Sequence, residues 1–249
     1  MPIDSRNMQD TYPRFFKADI APSDTVIEFP EQEAQHALKV LRLPAGSPVE
    51  VVDGKGSLFS GVLQTTGKKR CHLEVKAYTH TPRNARGNVT LAVGLLKSND
   101  RFQWIIEKCT ELGVSCIIPL ITSNAERRHF NREKALLTMV AGIKQSRQLW
   151  MPELKEACSC SEILALMKPH QQLLLAHCRV ADLPPLAKVW EREKDSVVLI
   201  GPEGDFTEEE VALLKENNAR EISLGTQRLR TETAALKAVI ALQMLYEIE

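Results

Sequence analysis

The sequence lacks an excess of either charge sign, with 32 basic and 32 acidic side chains among 249 residues. Proteins that bind nucleic acid through a uniformly cationic surface carry a surplus of lysine and arginine, so the balance argues against that class. The chain has no apolar run near the roughly 20 residues that a membrane-spanning helix needs. It also opens without the apolar segment of a secretory signal. We therefore expect a cytoplasmic protein with no membrane partner.

The six cysteines include no Cys-x-x-Cys pair and follow no zinc-ligand spacing. Cys158 and Cys160 are close enough in sequence to share a metal ion, but the favoured interpretation is a set of reduced thiols. We therefore predict no metal site. What is present is ordinary, with 43% hydrophobic and 26% charged residues. This composition argues against disorder and predicts one large folded domain or two smaller ones.

The first eighty residues are predicted to be mainly β-strands. Alternating apolar side chains predict strands at 49–53, 58–63 and 72–78, and Asp53-Gly54 is a strong hairpin turn signal. A helix is predicted at 31–43, ending before Pro44. These elements indicate a small barrel.

Beyond a polar stretch at 79–87, the predicted linker, strands and helices alternate. The predicted strands are 89–96, 116–120, 173–176, 197–200 and 221–224, and the predicted helices are 101–112, 132–149, 208–217 and 232–247. Such alternation indicates crossover units and a mostly parallel sheet.

Two glycine-bearing loops carry the candidate chemistry. The apolar strand ending at Ile200 runs directly into Gly201-Pro-Glu-Gly204, and ligands of open parallel sheets bind at the carboxyl ends of strands. The loop is neither a Rossmann fingerprint nor a P-loop, and taken alone it fits an ordinary strand-to-helix turn equally well. A second loop, 223–225 followed by 228–234, opens a helix that is apolar on nearly all sides and is expected to be buried. Its polar Arg-Thr-Glu-Thr start needs partners, so we predict that the two loops form the walls of one site.

These motifs together resemble a known family. Gly201-Pro-Glu-Gly204, Leu224-Gly225 and 229–234 look like the ribosomal RNA small subunit methyltransferase E family of the SPOUT superfamily. Further similar positions are Arg14-Phe15-Phe16, His36, 40–42, Lys97, Asp100, Arg101, Lys108, 111–113, Gln145-Ser146 and Pro152-Glu153. The sequence departs from the family pattern at Asp205, where a second glycine is common, and at Gln103, Gln148 and Gln227-Arg228.

The resemblance implies an α/β fold with a PUA-like RNA-binding β-barrel at 1–80 and a SPOUT methyltransferase domain with a mostly parallel sheet at 81–249. A trefoil knot and the cofactor site are implied within about 170–249. The implied activity is methylation of N3 of one uridine in 16S ribosomal RNA, free or in the small ribosomal subunit, by a homodimer that binds S-adenosylmethionine. Two alternatives are a non-catalytic RNA-binding module, which would bind RNA without the cofactor, and a SPOUT methyltransferase that acts on transfer RNA.

The cofactor is expected to be held largely by backbone groups of three loops. The predicted cofactor-binding residues are Leu175, Ala176, His177, Ile200, Gly201, Pro202, Glu203, Gly204, Leu224, Gly225, Leu229, Arg230, Thr231, Thr233 and Ala234. We interpret His177 as a loop residue near the cofactor rather than a catalyst, and His36 as a packing or capping residue of the barrel.

The candidate catalytic residues are Arg230 and Glu232. Uracil N3 must lose a proton, and a fixed guanidinium would stabilise the resulting negative charge. An ion pair of Arg230 with Glu232 or Glu203 that merely holds the loop is an equal alternative, and the base is Glu203, Glu232 or solvent.

The candidate RNA contacts are Arg14, Arg42, Lys97 and Arg101, all of which could instead be solvated surface charges. Residues 87–155 carry ten basic and six acidic side chains, whereas residues 191–249 carry seven and thirteen. The neutral total thus hides a mildly basic region, which leaves room for an enzyme that meets RNA on one face.

Overall fold

The computed structural model describes residues 12–67, 69–83, 87–180 and 182–248. The chain divides into two compact units, Met1–Arg83 with Ile143–Met151 and Asn84–Gly142 with Pro152–Glu249. Among the described residues, no helix has the length and apolar character needed to cross a bilayer.

The first unit is built on a five-stranded sheet. Its strands are β1 (Arg14–Phe16), β2 (Val26–Glu28), β3 (Pro48–Val52), β4 (Ser57–Thr66) and β5 (Arg70–His80), in the order β1-β3-β4-β5-β2. The β1–β3 pair is parallel and the other pairs are antiparallel. Phe15, Phe59 and Leu73 from three of these strands lie in one buried core. The three predicted strands are thus confirmed as β3, β4 and β5.

The helix expected at 31–43 is shorter and less regular. Helix α1 (Glu31–Gln35) continues only as a π-helical turn at His36–Val40. Arg42 then has a positive φ of 54°, which no residue inside a right-handed helix adopts. The expected linker at 79–87 also differs, because Thr79 and His80 belong to β5. Residues 84–86 of that stretch lie outside the described residues.

The second unit contains the remaining strands and helices. Its strands are β6 (Val89–Gly94), β7 (Cys116–Leu120), β8 (Glu153–Leu154), β9 (Gln171–Ala176), β10 (Asp195–Ile200) and β11 (Arg220–Ile222). The helices are α2 (Asn99–Glu111), α3 (Arg132–Ser146), α4 (Cys160–Leu166), α5 (Leu186–Val189), α6 (Glu208–Glu216) and α7 (Thr231–Glu247), and the last residues of α3 belong to the first unit.

The sheet of the second unit is wholly parallel among its described pairs, in the order β11-β9-β10-β6-β7-β8. The prediction of a mostly parallel sheet is confirmed. Ala176 pairs with Ile200 on one side and with Ile222 on the other, so three strands end at one level. This common edge positions the candidate site. The trefoil knot stays a prediction.

The final helix is buried on one side only. Ala235, Ala238, Val239 and Leu242 of α7 are fully buried, and α7 packs against β6, β10 and α2. Ile240 and Met244 on the other side are 40% and 58% exposed, so the expectation of burial on nearly all sides is wrong. Composition alone could not distinguish a helix enclosed by its own chain from one with an apolar outer face.

Candidate functional site

A cavity of about 1220 Å³ opens in the second unit at the carboxyl ends of β9, β10 and β11. Three loops line it, and each directly follows one of these strands. The lining residues are Arg101, Ala176, His177, Cys178, Arg179, Val180, Asp182, Leu183, Pro185, Ile200, Gly201, Pro202, Glu203, Asp205, Ile222, Ser223, Leu224, Gly225, Thr226, Gln227, Arg228, Leu229, Arg230, Thr231 and Ala234. The two motif loops do meet at one cavity, as their position after parallel strands predicts.

Three of the expected cofactor-binding residues do not line this cavity. Leu175 lies in the buried core between strands. Gly204 faces Asn124 instead, because a Cβ on Gly204 would lie 2.9 Å from the Asn124 Cβ. Thr233 is exposed on the first turn of α7. The other expected cofactor-binding residues line the cavity, as do residues 178–180, 182, 183 and 185 of the loop after β9.

The two glycine-bearing loops are tied together at the base of the cavity. The buried Thr231 hydroxyl donates to the Gly201 carbonyl oxygen at 3.0 Å. This bond provides the partner that the buried Thr231 hydroxyl requires. No side chain caps α7, so the first-turn N–H groups of the helix are not satisfied by a capping residue.

Asp205 links the loop after β10 to the loop after β9. Its carboxylate accepts from the backbone N–H of Cys178 and from that of Phe206, each at 2.9 Å. Its φ of 58° lies in the left-handed region, which aspartate tolerates better than most residues. The departure from glycine at this position therefore replaces conformational freedom with a fixed link between two walls of the cavity.

His177 is locked by its neighbours. Its side chain is fully buried, its Nδ1 accepts from the Arg179 backbone N–H at 3.1 Å, and its Nε2 lies 2.9 Å from Glu221. Because Nδ1 is an acceptor, Nε2 carries the proton and donates to the carboxylate. Lys215 and then His177 hold the pKa of Glu221 below its usual value, which keeps that acceptor charged. Both ring nitrogens are occupied, as the interpretation of His177 as a non-catalytic loop residue requires.

The two arginines Arg101 and Arg230 at the cavity rim differ in their partners. Arg101 contacts Glu203 at 2.9 Å and Glu232 at 3.6 Å. Glu232 does not line the cavity, whereas Arg101 and Arg230 do. Arg230 is exposed and forms no ion pair with any carboxylate in the described part of the chain. The alternative in which Arg230 merely pairs with Glu203 or Glu232 is wrong, because Arg101 takes that role.

The expected RNA contacts fall in different environments. The Arg14 side chain is only 8% exposed and pairs with Glu50 at 2.8 Å, so the structure favours a structural role for it over RNA contact. Arg42 is exposed, and Lys97 is exposed beside Glu126. His36 is exposed at the C-cap of α1 and lies edge-on to Phe15 at a ring-centroid distance of 6.1 Å.

The cysteines of the second unit are mostly buried thiols. Burial raises the pKa of Cys158 to about 11 and that of Cys160 to about 12. Metal ligation needs the thiolate, which such pKa values disfavour. Among the residues that the structure describes, no group of three or more His, Cys, Asp or Glu side chains could hold a metal ion.

Comparison with known proteins agrees with this geometry. The family described as RNA methyltransferase domain matches residues 82–243, and the family described as RNA methyltransferase PUA domain matches residues 29–76. The first match covers more than half of the chain. The prediction of an RNA methyltransferase with an N-terminal PUA domain is confirmed.

Individual relatives match along nearly the whole chain. Ribosomal RNA small subunit methyltransferase E from Rickettsia conorii is 28% identical over 94% of this chain and 96% of its own. The crystal structure of a probable rRNA-methyltransferase from Porphyromonas gingivalis is 30% identical, with a TM-score of 0.84 over 94% of this chain and 99% of the other. The structure of a ribosomal RNA small subunit methyltransferase E from Neisseria gonorrhoeae bound to S-adenosyl methionine is 26% identical, with a TM-score of 0.86 over 96% and 100%. From the family matches, the shared fold and the loops at the cavity, the chain belongs to the RNA methyltransferase family that includes the ribosomal RNA small subunit methyltransferases E.

Proposed function

We propose that this protein transfers the methyl group of S-adenosylmethionine to N3 of one uridine in 16S ribosomal RNA. The observation that carries the proposal is the cavity at the ends of β9, β10 and β11, which combines the two motif loops in one site. Two of the named relatives are ribosomal RNA small subunit methyltransferases E, and the one from Neisseria gonorrhoeae was crystallised with S-adenosyl methionine.

The residues of the cavity fit the proposed cofactor. Ile200, Leu224 and Leu229 offer aliphatic surface for an adenine ring, and the uncapped start of α7 offers backbone N–H donors. Such a mixture of apolar lining and a few polar groups is typical of small-molecule sites. When bound, S-adenosylmethionine supplies an activated methyl group on a sulfonium. The chain's own part is to orient the two reactants, which can account for a large share of the rate enhancement.

Arg230 is proposed to stabilise the charge that develops on the uracil ring. Methyl transfer forms a bond from carbon to N3 and breaks the bond from carbon to sulfur, and the N3 proton leaves to solvent. Arg230 lies on the cavity wall with no carboxylate partner among the described residues, at the start of α7, whose dipole adds positive potential. We assign Glu232 to holding Arg101 rather than to proton transfer, because Arg101 lies on the cavity wall and Glu232 does not.

The assembly proposed for the chain is a homodimer. The exposed side chains Ile240 and Met244 lie four residues apart on one face of α7, and Ile248 follows at 62% exposure. Trp104 on α2, which packs against α7, is 41% exposed. An apolar face of this kind marks an interaction surface, and a second copy of the chain is the proposed partner.

The remaining proposals are cytoplasmic localisation and RNA contacts by Arg42, Lys97 and Arg101.

Mass mapping of ribosomal RNA tests the activity directly. RNA from a strain that lacks the gene would be analysed before and after incubation with purified protein and S-adenosylmethionine. We expect one uridine of 16S RNA to gain the mass of one methyl group. A gain only in transfer RNA would favour the alternative substrate. RNA binding without calorimetric binding of the cofactor would favour the non-catalytic module.

Replacing Asp205 tests whether the link between the loops supports the site. Asp205→Ala removes both carboxylate bonds and leaves alanine at a positive φ, so we expect a loss of about 1–2 kcal/mol of stability and weaker cofactor binding. Asp205→Asn keeps an acceptor and tolerates the same φ, so it should stay close to wild type. Thermal unfolding and calorimetry would measure both effects. Equal cofactor affinities for Asp205→Ala and wild type would show that the link does not shape the cavity.

A further inference from the structure

The arginines of the second unit fall into two groups. Those with a carboxylate partner are Arg101, Arg132, Arg179 and Arg220. Among the described residues, those without one are Arg127, Arg128, Arg192, Arg228 and Arg230. An unpaired guanidinium keeps its full charge available for an external anion. The positions of the second group therefore indicate where the protein can bind one.

Two of the unpaired arginines line the cavity and two lie beside it. Arg228 and Arg230 are part of the cavity wall. Arg127 and Arg128 belong to residues 121–131, the segment between β7 and α3, here called the rim loop. Arg192 is the exception, because it precedes β10 and therefore lies at the amino ends of the parallel strands, opposite the cavity.

The rim loop is fixed at two points, one of them at the cavity wall. The Asn124 side-chain amide donates to the carbonyl oxygens of Gly204 and Asp205, at 2.9 and 3.3 Å. Three residues after this anchor, the Arg127 guanidinium donates to Asn99 Oδ1 on α2 at 2.8 Å. Asn99 begins the same helix that carries Arg101 to the cavity. The rim loop is therefore held next to the entrance of the site.

The two arginines of the rim loop carry charge that an external anion can reach. Arg128 is exposed, and Arg127 is half-buried with a neutral amide as its side-chain partner. The carboxylate of Glu126 next to them is already paired with Lys97 at 2.9 Å. The local charge thus stays positive without neutralisation from the loop itself.

We propose that Arg127 and Arg128 bind the phosphate backbone of the substrate RNA and so position the strand whose base enters the cavity. A guanidinium fork matches the oxygens of a phosphate, and such contacts fix the register of a nucleic acid without reading its sequence. The inference rests on the proposed function, since it takes RNA as the substrate of the adjacent cavity. It makes these arginines positioning residues rather than catalytic ones.

The test measures binding of 16S ribosomal RNA as a function of salt for wild type, Arg128→Ala and Arg192→Ala. Each lost phosphate contact should make the slope of log K against log salt shallower by about 0.7–0.9. We expect that change in Arg128→Ala and a wild-type slope in Arg192→Ala, which removes another exposed arginine at the opposite ends of the strands. In methyl transfer, KM for RNA should rise while kcat stays unchanged. The double change Arg127→Ala with Arg128→Ala should show the larger effect.

The outcomes separate this proposal from the proposed function. A wild-type salt slope in Arg128→Ala, with wild-type protein that binds S-adenosylmethionine and methylates RNA, would overturn the assignment of the rim loop alone. Loss of affinity for the assembled small subunit but not for naked RNA would point to a ribosomal protein and would equally overturn it. Weaker calorimetric binding of S-adenosylmethionine in Arg128→Ala would indicate a disturbed cavity and would also count against it. Wild-type protein that neither binds the cofactor nor methylates RNA would instead refute the proposed function.

Discussion

Arg230→Ala is expected to lower kcat for methylation of 16S ribosomal RNA by about 10²- to 10³-fold at saturating cofactor, the effect of removing one preorganised donor to a developing anion. The reason is electrostatic. Arg230 lies on the cavity wall without a carboxylate partner among the described residues, so its charge is available to the uracil ring. Single-turnover kinetics with the purified variant would measure the chemical step separately from product release.

The conservative change Arg230→Lys is the matched control. Lysine keeps the positive charge but not the planar fork, so we expect an activity between those of wild type and Arg230→Ala. Binding of S-adenosylmethionine by calorimetry should change little in either variant, because the proposed role is exerted on the uracil. Normal methyl transfer by Arg230→Ala would falsify the catalytic assignment.

The sequence could not show whether Arg230 forms an ion pair with Glu203 or Glu232. The motif contains Arg230 and Glu232 two residues apart, with Glu203 in the neighbouring loop, and any of these charges could pair. The structure resolves the choice through Arg101, which comes from α2 and contacts both glutamates. That contact joins residues more than one hundred positions apart, and no local spacing predicts it.

The parallel sheet and two walls of the cavity could be predicted because they leave strong local signals. The apolar strand ending at Ile200 and the glycine-bearing loop after it predict a central parallel strand, and the second polar loop, at the start of α7, predicts the shared site. The third wall includes residues 178–180, 182, 183 and 185, and the sequence of this stretch has no periodicity and no glycine. Its place depends on the Asp205 carboxylate and on the bond of His177 to Glu221, both of which are tertiary contacts.

Which residues make up the first unit could likewise not be predicted from the sequence. Residues 143–151 belong to it although they follow most of the second unit in sequence. Two ion pairs hold this segment there, Lys144 with Glu33 at 2.7 Å and Arg147 with Glu50 at 3.4 Å. A helix predicted at 132–149 gives no sign that its end packs with strands a hundred residues earlier. The positive φ of Arg147, 59°, explains why that helix ends at Ser146.

Gly94→Ala is expected to weaken binding of S-adenosylmethionine by at least about tenfold. Gly94 ends β6, and a Cβ there would lie 2.4 Å from both the nitrogen and Cδ of Pro202. Carbon atoms in contact are separated by about 3.5–4.0 Å, so the Gly201-Pro202 backbone would have to move by about 1 Å. A misplacement of this size in a positioned site can cost about 100-fold in rate. Overpacking should also lower the free energy of unfolding by about 1–3 kcal/mol.

A control must separate displacement of the loop from general loss of stability, and Gly46→Ala provides it. Gly46 has a φ of 88°, and no described residue lies within 4 Å of an added Cβ, so the substitution strains the backbone of the first unit without a steric clash. It should destabilise the protein while leaving cofactor affinity at the wild-type value. Calorimetry at a temperature where both variants are folded would compare their affinities for S-adenosylmethionine. If Gly94→Ala bound the cofactor as tightly as Gly46→Ala, close packing of β6 against Pro202 would not be what positions the loop, and the cavity would owe its shape to the bonds of Thr231 and Asp205 instead.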